Sequence, residues 1–235
     1  MQRYFASFNN EEIILSPNDV HHITNVMRMK VGDNFEAVSD NKCYLCTITS
    51  INPLKVSKEL KEDNSELPTS LTLFFALAKG DKMELVIQKA TEIGVSRIIL
   101  FKSTRSVVKF ENKDIAKKLE RYQKIIKEAS EQCHRLIIPE ILYVDDINKL
   151  KDYKEDINYL AYEKEAGSTL SSFKEDLKNK SVSIVIGSEG GFTLQEVELL
   201  NKEGFKNVSL GKRILRCETA AIYALSVLSF KLEQL

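Results

Sequence analysis

The chain has 235 residues, 43% of them apolar, and its 34 Lys and Arg balance 34 Asp and Glu. That length holds one large domain or two modest ones with a real core, and the composition is that of a globular protein, not a disordered or fibrous one. The longest apolar run, Ala220–Phe230, is broken by Ser226 and Ser229, and no apolar segment follows Arg3; a spanning helix or a signal peptide would need one, so the expected location is the cytoplasm with no membrane partner.

Residues 1–67 read as short strands, Arg3–Ala6, Phe35–Ser39, Tyr44–Ile51 and Lys55–Leu60, interrupted by one helix. Ser16 suits its cap, Pro17 its first turn and Asp19 its positive end. This pattern predicts a small β-barrel. The polar stretch Glu62–Pro68 then serves as a linker. From Leu71 the rhythm becomes strand then helix. Leu71–Ala78 is almost continuously apolar, as a strand buried on both faces should be. Asp81 and Glu84 form a capping-box pattern ahead of Met83, Val86, Ile87, Ala90 and Ile93 at helical spacing, with Gly94 as a stop. Next come strand Arg97–Phe101, a helix over 112–132, strands Ile157–Ala161 and Val182–Ile186, a helix capped by Thr193 and Glu196, strand Asn207–Leu210 and a final helix to about Leu232. Such alternation predicts an α/β domain, 68–235, around a parallel sheet.

Cys43 and Cys46 have the spacing of a metal knuckle, but on a strand an i, i+3 pair points to opposite faces. With no second pair and three histidines, no metal site is expected and the cysteines read as buried thiols. Charge is unevenly spread. Lys102–Lys127 carries nine basic residues against three acidic ones, and Lys206–Arg216 has Lys206, Lys212, Arg213 and Arg216 with no acid. Residues 1–68 hold seven Lys and Arg against ten Asp and Glu. The two basic stretches are candidate phosphate tracks.

Two segments carry chemistry. In Ile184–Thr193 a buried strand runs into Gly187-Ser188-Glu189-Gly190-Gly191 just before a capped helix. Glycines there let a ligand approach backbone N–H groups at the carboxyl end of a strand. No Gly-Lys-Ser/Thr follows, so this is not a P-loop. A serine elbow would need Gly at Ile186 and a histidine after Ser188, whereas His21, His22 and His134 all precede it. The second segment, Leu210-Gly211-Lys212-Arg213-Ile214-Leu215-Arg216-Cys217-Glu218-Thr219-Ala220, pairs apolar walls with a basic cluster at a helix start, which suits a flat heterocycle.

Together these segments closely resemble the RsmE family, the 16S ribosomal RNA uracil-N3 methyltransferases of the SPOUT superfamily. His21-His22 with Val26-Met27-Arg28 and Gly32-Asp33, Lys79–Glu84 through Gln88–Gly94, Arg105-Ser106, and Glu128–Gln132 with Arg135 and Pro139 match in order. The resemblance thus covers nearly the whole chain. Departures are Ser188 in place of the usual proline, Met27 of leucine, Asn41 of glycine and His134 of a small residue. The resemblance implies a PUA-like β-barrel over 1–67 and a trefoil-knotted SPOUT domain over 68–235. It also implies a homodimer burying the last helix with Ile222, Leu225 and Leu228, and a 16S rRNA partner within the small ribosomal subunit. S-adenosylmethionine would bind at Leu160, Ile186, Gly187, Ser188, Glu189, Gly190, Gly191, Leu210, Gly211, Ile214, Leu215, Arg216, Glu218, Thr219 and Ala220. RNA would meet Arg3, Arg28, Lys30, Lys79, Lys102, Arg105, Lys109, Lys212 and Arg213.

Uracil N3 is a poor nucleophile until it loses its proton, so such a site needs a base or cationic donors at the ring oxygens. Arg105, Arg135 and Arg216 are candidates for the cationic role. Glu189 is a candidate base if desolvation raises its pKa, or an orienting group; which residue takes the proton stays open. Two alternatives remain: another RNA target, such as a transfer-RNA ribose, and a non-catalytic RNA-binding relative.

Overall fold

The computed structural model describes residues 1–9, 12–108, 110–165, 167–170 and 176–234. The chain divides into two compact units. One comprises residues 1–66 with 130–137, the other 67–129 with 138–235.

The first unit is a six-stranded sheet. Its strands are β1 (Arg3–Phe5), β2 (Ser7–Asn9), β3 (Glu12–Ile14), β4 (Asn34–Ser39), β5 (Lys42–Ile51) and β6 (Leu54–Lys61), in the order β1-β4-β5-β6-β3-β2. The two edge strands, β1 and β2, are separated by Ala6 alone, so the sheet curls back on itself. The short strands β2 and β3 escaped the sequence reading, because three residues carry too little periodicity. The core holds Tyr4, Ile23, Phe35, Ala37, Cys46 and Ile48. Helix α1 (Pro17–His21) starts as expected: the Ser16 hydroxyl accepts the Asp19 N–H. Between β4 and β5, Asp40 and Asn41 both have positive φ, 50° and 58°, the two-residue turn that matches strand twist and that Asn tolerates in place of glycine. Cys43 and Cys46 are both buried, and burial pushes the Cys46 thiol up to about 12.

The second unit is built on a wholly parallel sheet ordered β12-β10-β11-β7-β8-β9. Its strands are β7 (Leu71–Ala76), β8 (Arg97–Phe101), β9 (Glu140–Val144), β10 (Ile157–Ala161), β11 (Val182–Ile186) and β12 (Lys206–Val208). Alternate residues face opposite layers. Leu71, Leu73, Phe75, Ile98, Leu100, Ile184 and Ile186 pack against α2 (Lys82–Ile93), α3 (Asn112–Gln132) and α5 (Cys217–Glu233). Phe74, Ala76, Ile99, Phe101, Leu160 and Val185 pack against α4 (Leu194–Lys202) and the 3-10 stretch Ile147–Tyr153. Strand β9 and that stretch were not anticipated. Gly94 ends α2 at φ 105°, a left-handed cap that glycine adopts without a Cβ penalty. The expected capping box at Asp81 does not form; Asp81 is helical and makes no side-chain cap, and Glu84 instead meets Arg121 at 2.6 Å.

One expectation about α5 needs correction. Leu225 and Leu228 are fully buried in the core against the sheet, each contributing ~1.5–3 kcal/mol there, so they are not free to face a partner. The apolar side chains left outward are Tyr223 and Phe230, with Ile222 and Val227 half-buried beside them. Among the described residues no helix is long and apolar enough to cross a membrane.

Candidate methyl-donor site

A cavity of about 520 Å³ opens at the carboxyl ends of β10, β11 and β12. These strands are adjacent in the sheet, and the three loops that leave them converge there, where parallel sheets place ligands. From β11 come Ile186 and the turn Gly187–Phe192; from β10 come Ala161, Tyr162 and Glu163; after β12 comes the loop Ser209–Cys217. Helices α2 and α5 add Lys82 and Ala220. Close approaches favour glycine at this turn. A Cβ on Gly187 would lie 3.0 Å from the Phe192 ring, and one on Gly190 would lie 2.8 Å from the Cβ of Arg105. Gly191 sits at φ 64°, and its N–H closes the turn onto the Ser188 carbonyl at 2.9 Å. Thr193 and Glu196 then form the full capping box of α4.

Carboxylates and a lysine tie the rim. Lys82 Nζ lies 2.9 Å from Glu189 Oε1 and 3.6 Å from Glu218 Oε2, and the Lys79 N–H donates to Glu189 Oε1 at 3.1 Å. Burial alone would raise the Glu189 pKa, but the hydrogen bond from Lys82 and the backbone N–H groups of Glu189 and Lys79 outweigh it and hold it below the usual range. The condition under which Glu189 would serve as a base is therefore not met; it is an ion-paired anchor for the 79–82 segment. Cys217 beside it is pushed up to about 12 by burial and by the neighbouring Glu218 and Glu189 charges, so its thiol is not a nucleophile near neutral pH.

Arg105 lies on the turn after β8, and its Nη1 donates to the Gly190 carbonyl at 2.9 Å. Its side chain runs along the glycine turn, which is why Gly190 has no room for a Cβ.

Residues 65–229 match the model of an RNA methyltransferase domain, and residues 15–61 match that of an RNA methyltransferase PUA domain. A Bacillus subtilis (strain 168) protein named ribosomal RNA small subunit methyltransferase E is 40% identical, over 100% of this chain and 98% of its own. The chain belongs to the ribosomal RNA small subunit methyltransferase E family. Two solved structures show the same fold. A putative methyltransferase from Legionella pneumophila, in complex with bound cofactor SAM, is 33% identical with a TM-score of 0.85 over 98% of both chains. The family member from Neisseria gonorrhoeae, bound to S-adenosyl methionine, is 28% identical with a TM-score of 0.84 over 98% of both chains. The second unit thus holds the RNA methyltransferase domain and the first is PUA-like.

Of the residues expected around the methyl donor, Ile186, Gly187, Ser188, Glu189, Gly190, Gly191, Leu210, Gly211, Ile214, Leu215, Arg216 and Ala220 line the cavity of this family member. Leu160 does not: it is fully buried on the opposite face of the sheet, and the next residue, Ala161, lines the cavity instead. Glu218 and Thr219 are not in the lining either; Glu218 meets the site through Lys82 and Cys217. Lys212 and Arg213, expected to meet RNA, line the same cavity. Sequence reasoning missed Lys82, Tyr162, Glu163 and Phe192. The end of β10 was a usable signal for Tyr162 and Glu163, since each parallel strand ends at the ligand face.

Two arginines leave the expected set. Arg3 is 2% exposed, donating to Glu36 at 2.8 Å and to Asp63 at 2.5 Å. Arg135 is 3% exposed, lies in the first unit and pairs with Glu66 at 2.6 Å; neither lines the cavity. A buried guanidinium paired with carboxylates cannot be turned toward a phosphate or a base without leaving those charges uncompensated. Arg28, Lys30, Lys79 and Lys102 are exposed, and Lys109 lies outside the described residues. Within the basic stripe Lys113, Arg121 and Lys124 meet Glu111, Glu84 and Glu120, and Lys118 lies 4.8 Å over the Phe110 ring. Surface pairs of this kind are weak and leave the cations available to phosphate.

Proposed function

We propose that the chain transfers the methyl group of S-adenosylmethionine to N3 of one uridine in small-subunit ribosomal RNA, and works as a homodimer in the cytoplasm. The observation that carries this is the glycine-walled cavity beside Arg105 in a member of this family. The residues fit the methyl donor. The volume lies within the roughly 300–1,000 Å³ of small-molecule sites, Ile214 and Leu215 offer apolar walls, and the turns 187–191 and 210–216 offer backbone groups to a heterocycle edge. When bound, the donor supplies an electrophilic methyl on a sulfonium.

The chain's own task is mostly placement. Arg105 and Arg216, both exposed at the site, are the cationic donors that stabilise negative charge on the uracil oxygens as the N3 proton leaves. Glu189 and Lys82 hold the rim. Because N3 is on the pairing edge, the uridine must be unpaired or extruded. Exposed Lys79, Lys102, Lys212 and Arg213, with Arg28 and Lys30 in the PUA-like unit, are the phosphate contacts. The dimer face is the outward stripe of α5, Ile222, Tyr223, Val227 and Phe230. Single-turnover methylation of a small-subunit RNA fragment, followed by nucleoside mass analysis, tests the reading: N3-methyluridine is expected, and a ribose methyl would overturn it.

A further inference from the structure

The turn that carries Arg105 is fastened to the helix after the glycine turn by a single carboxylate. Glu196 is 5% exposed. Its Oε2 accepts the Thr193 N–H at 2.8 Å and the Thr193 hydroxyl at 3.0 Å, the ordinary work of a capping box. Its other oxygen does something a cap does not require: Oε1 accepts the N–H of Thr104 at 2.7 Å, 92 residues away in sequence. Thr104 is the residue before Arg105. A second strut lies beside it, where the Ser103 hydroxyl, 2.8 Å from that of Ser106, reaches the Ser188 hydroxyl at 3.3 Å. All three serines are buried. The Arg105 guanidinium then closes the ring on the Gly190 carbonyl.

We infer that Glu196 is a positioning residue for Arg105: its carboxylate couples the start of α4 to the 103–106 turn and so sets where the guanidinium stands over the glycine turn. The physical case is that an exposed arginine on a loop is mobile unless its backbone is held, and a charged acceptor makes the stronger kind of hydrogen bond. Ser188 serves the same end. Where the family pattern has proline, which would stiffen the turn by itself, this chain has a hydroxyl that ties the turn to Ser103.

The inference rests on Arg105 acting on the target base, so its test reads both parts separately. Thr193→Ala and Glu196→Ala both weaken the α4 cap, by similar amounts, but only Glu196→Ala frees Thr104. Glu196→Gln keeps a carbonyl able to accept from Thr104. Single-turnover methyl transfer at saturating RNA and S-adenosylmethionine is expected to fall on the order of tenfold to a hundredfold in Glu196→Ala. It should stay within about twofold of wild type in Thr193→Ala and recover most of the loss in Glu196→Gln. Adding Arg105→Ala to Glu196→Ala should cost little more than Arg105→Ala alone, because the two act through one group. Hydrogen exchange at the Thr104 amide should speed up in Glu196→Ala and not in Thr193→Ala. Equal loss in Thr193→Ala and Glu196→Ala, or unchanged Thr104 exchange, overturns the positioning role. If Arg105→Ala keeps the chemical rate while Thr104 exchange behaves as stated, the assignment of Arg105 fails and the fastening by Glu196 stands.

Discussion

Gly190→Val tests the site most sharply. An added Cβ would stand 2.8 Å from the Arg105 Cβ, 3.3 Å from its carbonyl oxygen and 3.4 Å from its Cδ, against an optimal carbon–carbon separation of about 3.5–4.0 Å. One side must move, and the Arg105 turn is held from outside the glycine turn by Glu196. The glycine turn therefore gives way, carrying the backbone groups of 188–191 out of register. Overpacking of this kind costs about 1–3 kcal/mol. If that strain falls on the turn, affinity for S-adenosylmethionine drops about fivefold to a hundredfold at the first carbon, and the two further methyls of valine should bring binding below detection. The fold should survive, with the thermal midpoint lowered by about 2–4 °C per kcal/mol. Calorimetric titration with S-adenosylmethionine, beside a melting curve, reads both quantities. Wild-type affinity in a folded Gly190→Val protein would refute the placement of the donor against this turn.

Four further outcomes are expected. Arg105→Ala should slow single-turnover methylation far more than it weakens RNA binding measured by filter retention. Lys212→Ala should flatten the log–log salt dependence of RNA binding by about one unit. Phe230→Glu should yield monomers in sedimentation at micromolar concentration, whereas no change would remove the α5 stripe from the interface. The fourth outcome concerns acid. Burial would raise Glu36, but hydrogen bonds from Lys61 and Arg3 hold it below its ordinary value, and Arg3 does the same for half-buried Asp63. A lowered carboxylate stabilises fully above its unfolded value, and the contribution is lost as pH falls through the folded value. Glu36→Gln should thus cost about 3–5 kcal/mol in urea melts at neutral pH, with a deficit that shrinks below about pH 4; a pH-independent deficit would contradict the ion-pair account.

The α/β unit was legible because its signals are long or chemically specific. Continuous apolar strands such as Leu71–Ala76, the Thr193–Glu196 cap and the glycines before α4 each have one structural reading. What stayed hidden was of two kinds. Strands of three residues, β2 and β3, carry no periodicity of their own and form because β6 and the curl of the sheet supply their partners. Side chains whose roles depend on contacts distant in sequence were also hidden. Arg3 and Arg135 look in sequence like any cation, and only Glu36, Asp63 and Glu66 show that they are buried ion pairs. Glu196 read simply as a cap, because its bond to Thr104 spans 92 residues. Leu225 and Leu228 fit an apolar helix face equally well inward or outward, and the helix is apolar enough all round that spacing could not decide.

The proposed transfer of one methyl group to N3 of a single small-subunit uridine has a direct test in cells. The direct measurement is mass mapping of methyl-uridine in 16S rRNA from cells that have the protein, cells that lack it, and cells complemented with wild type or Arg105→Ala. One N3-methyluridine should vanish without the protein, return with wild type and stay absent with Arg105→Ala. Identical maps with and without the protein, or loss of a methyl carried on ribose, would contradict it.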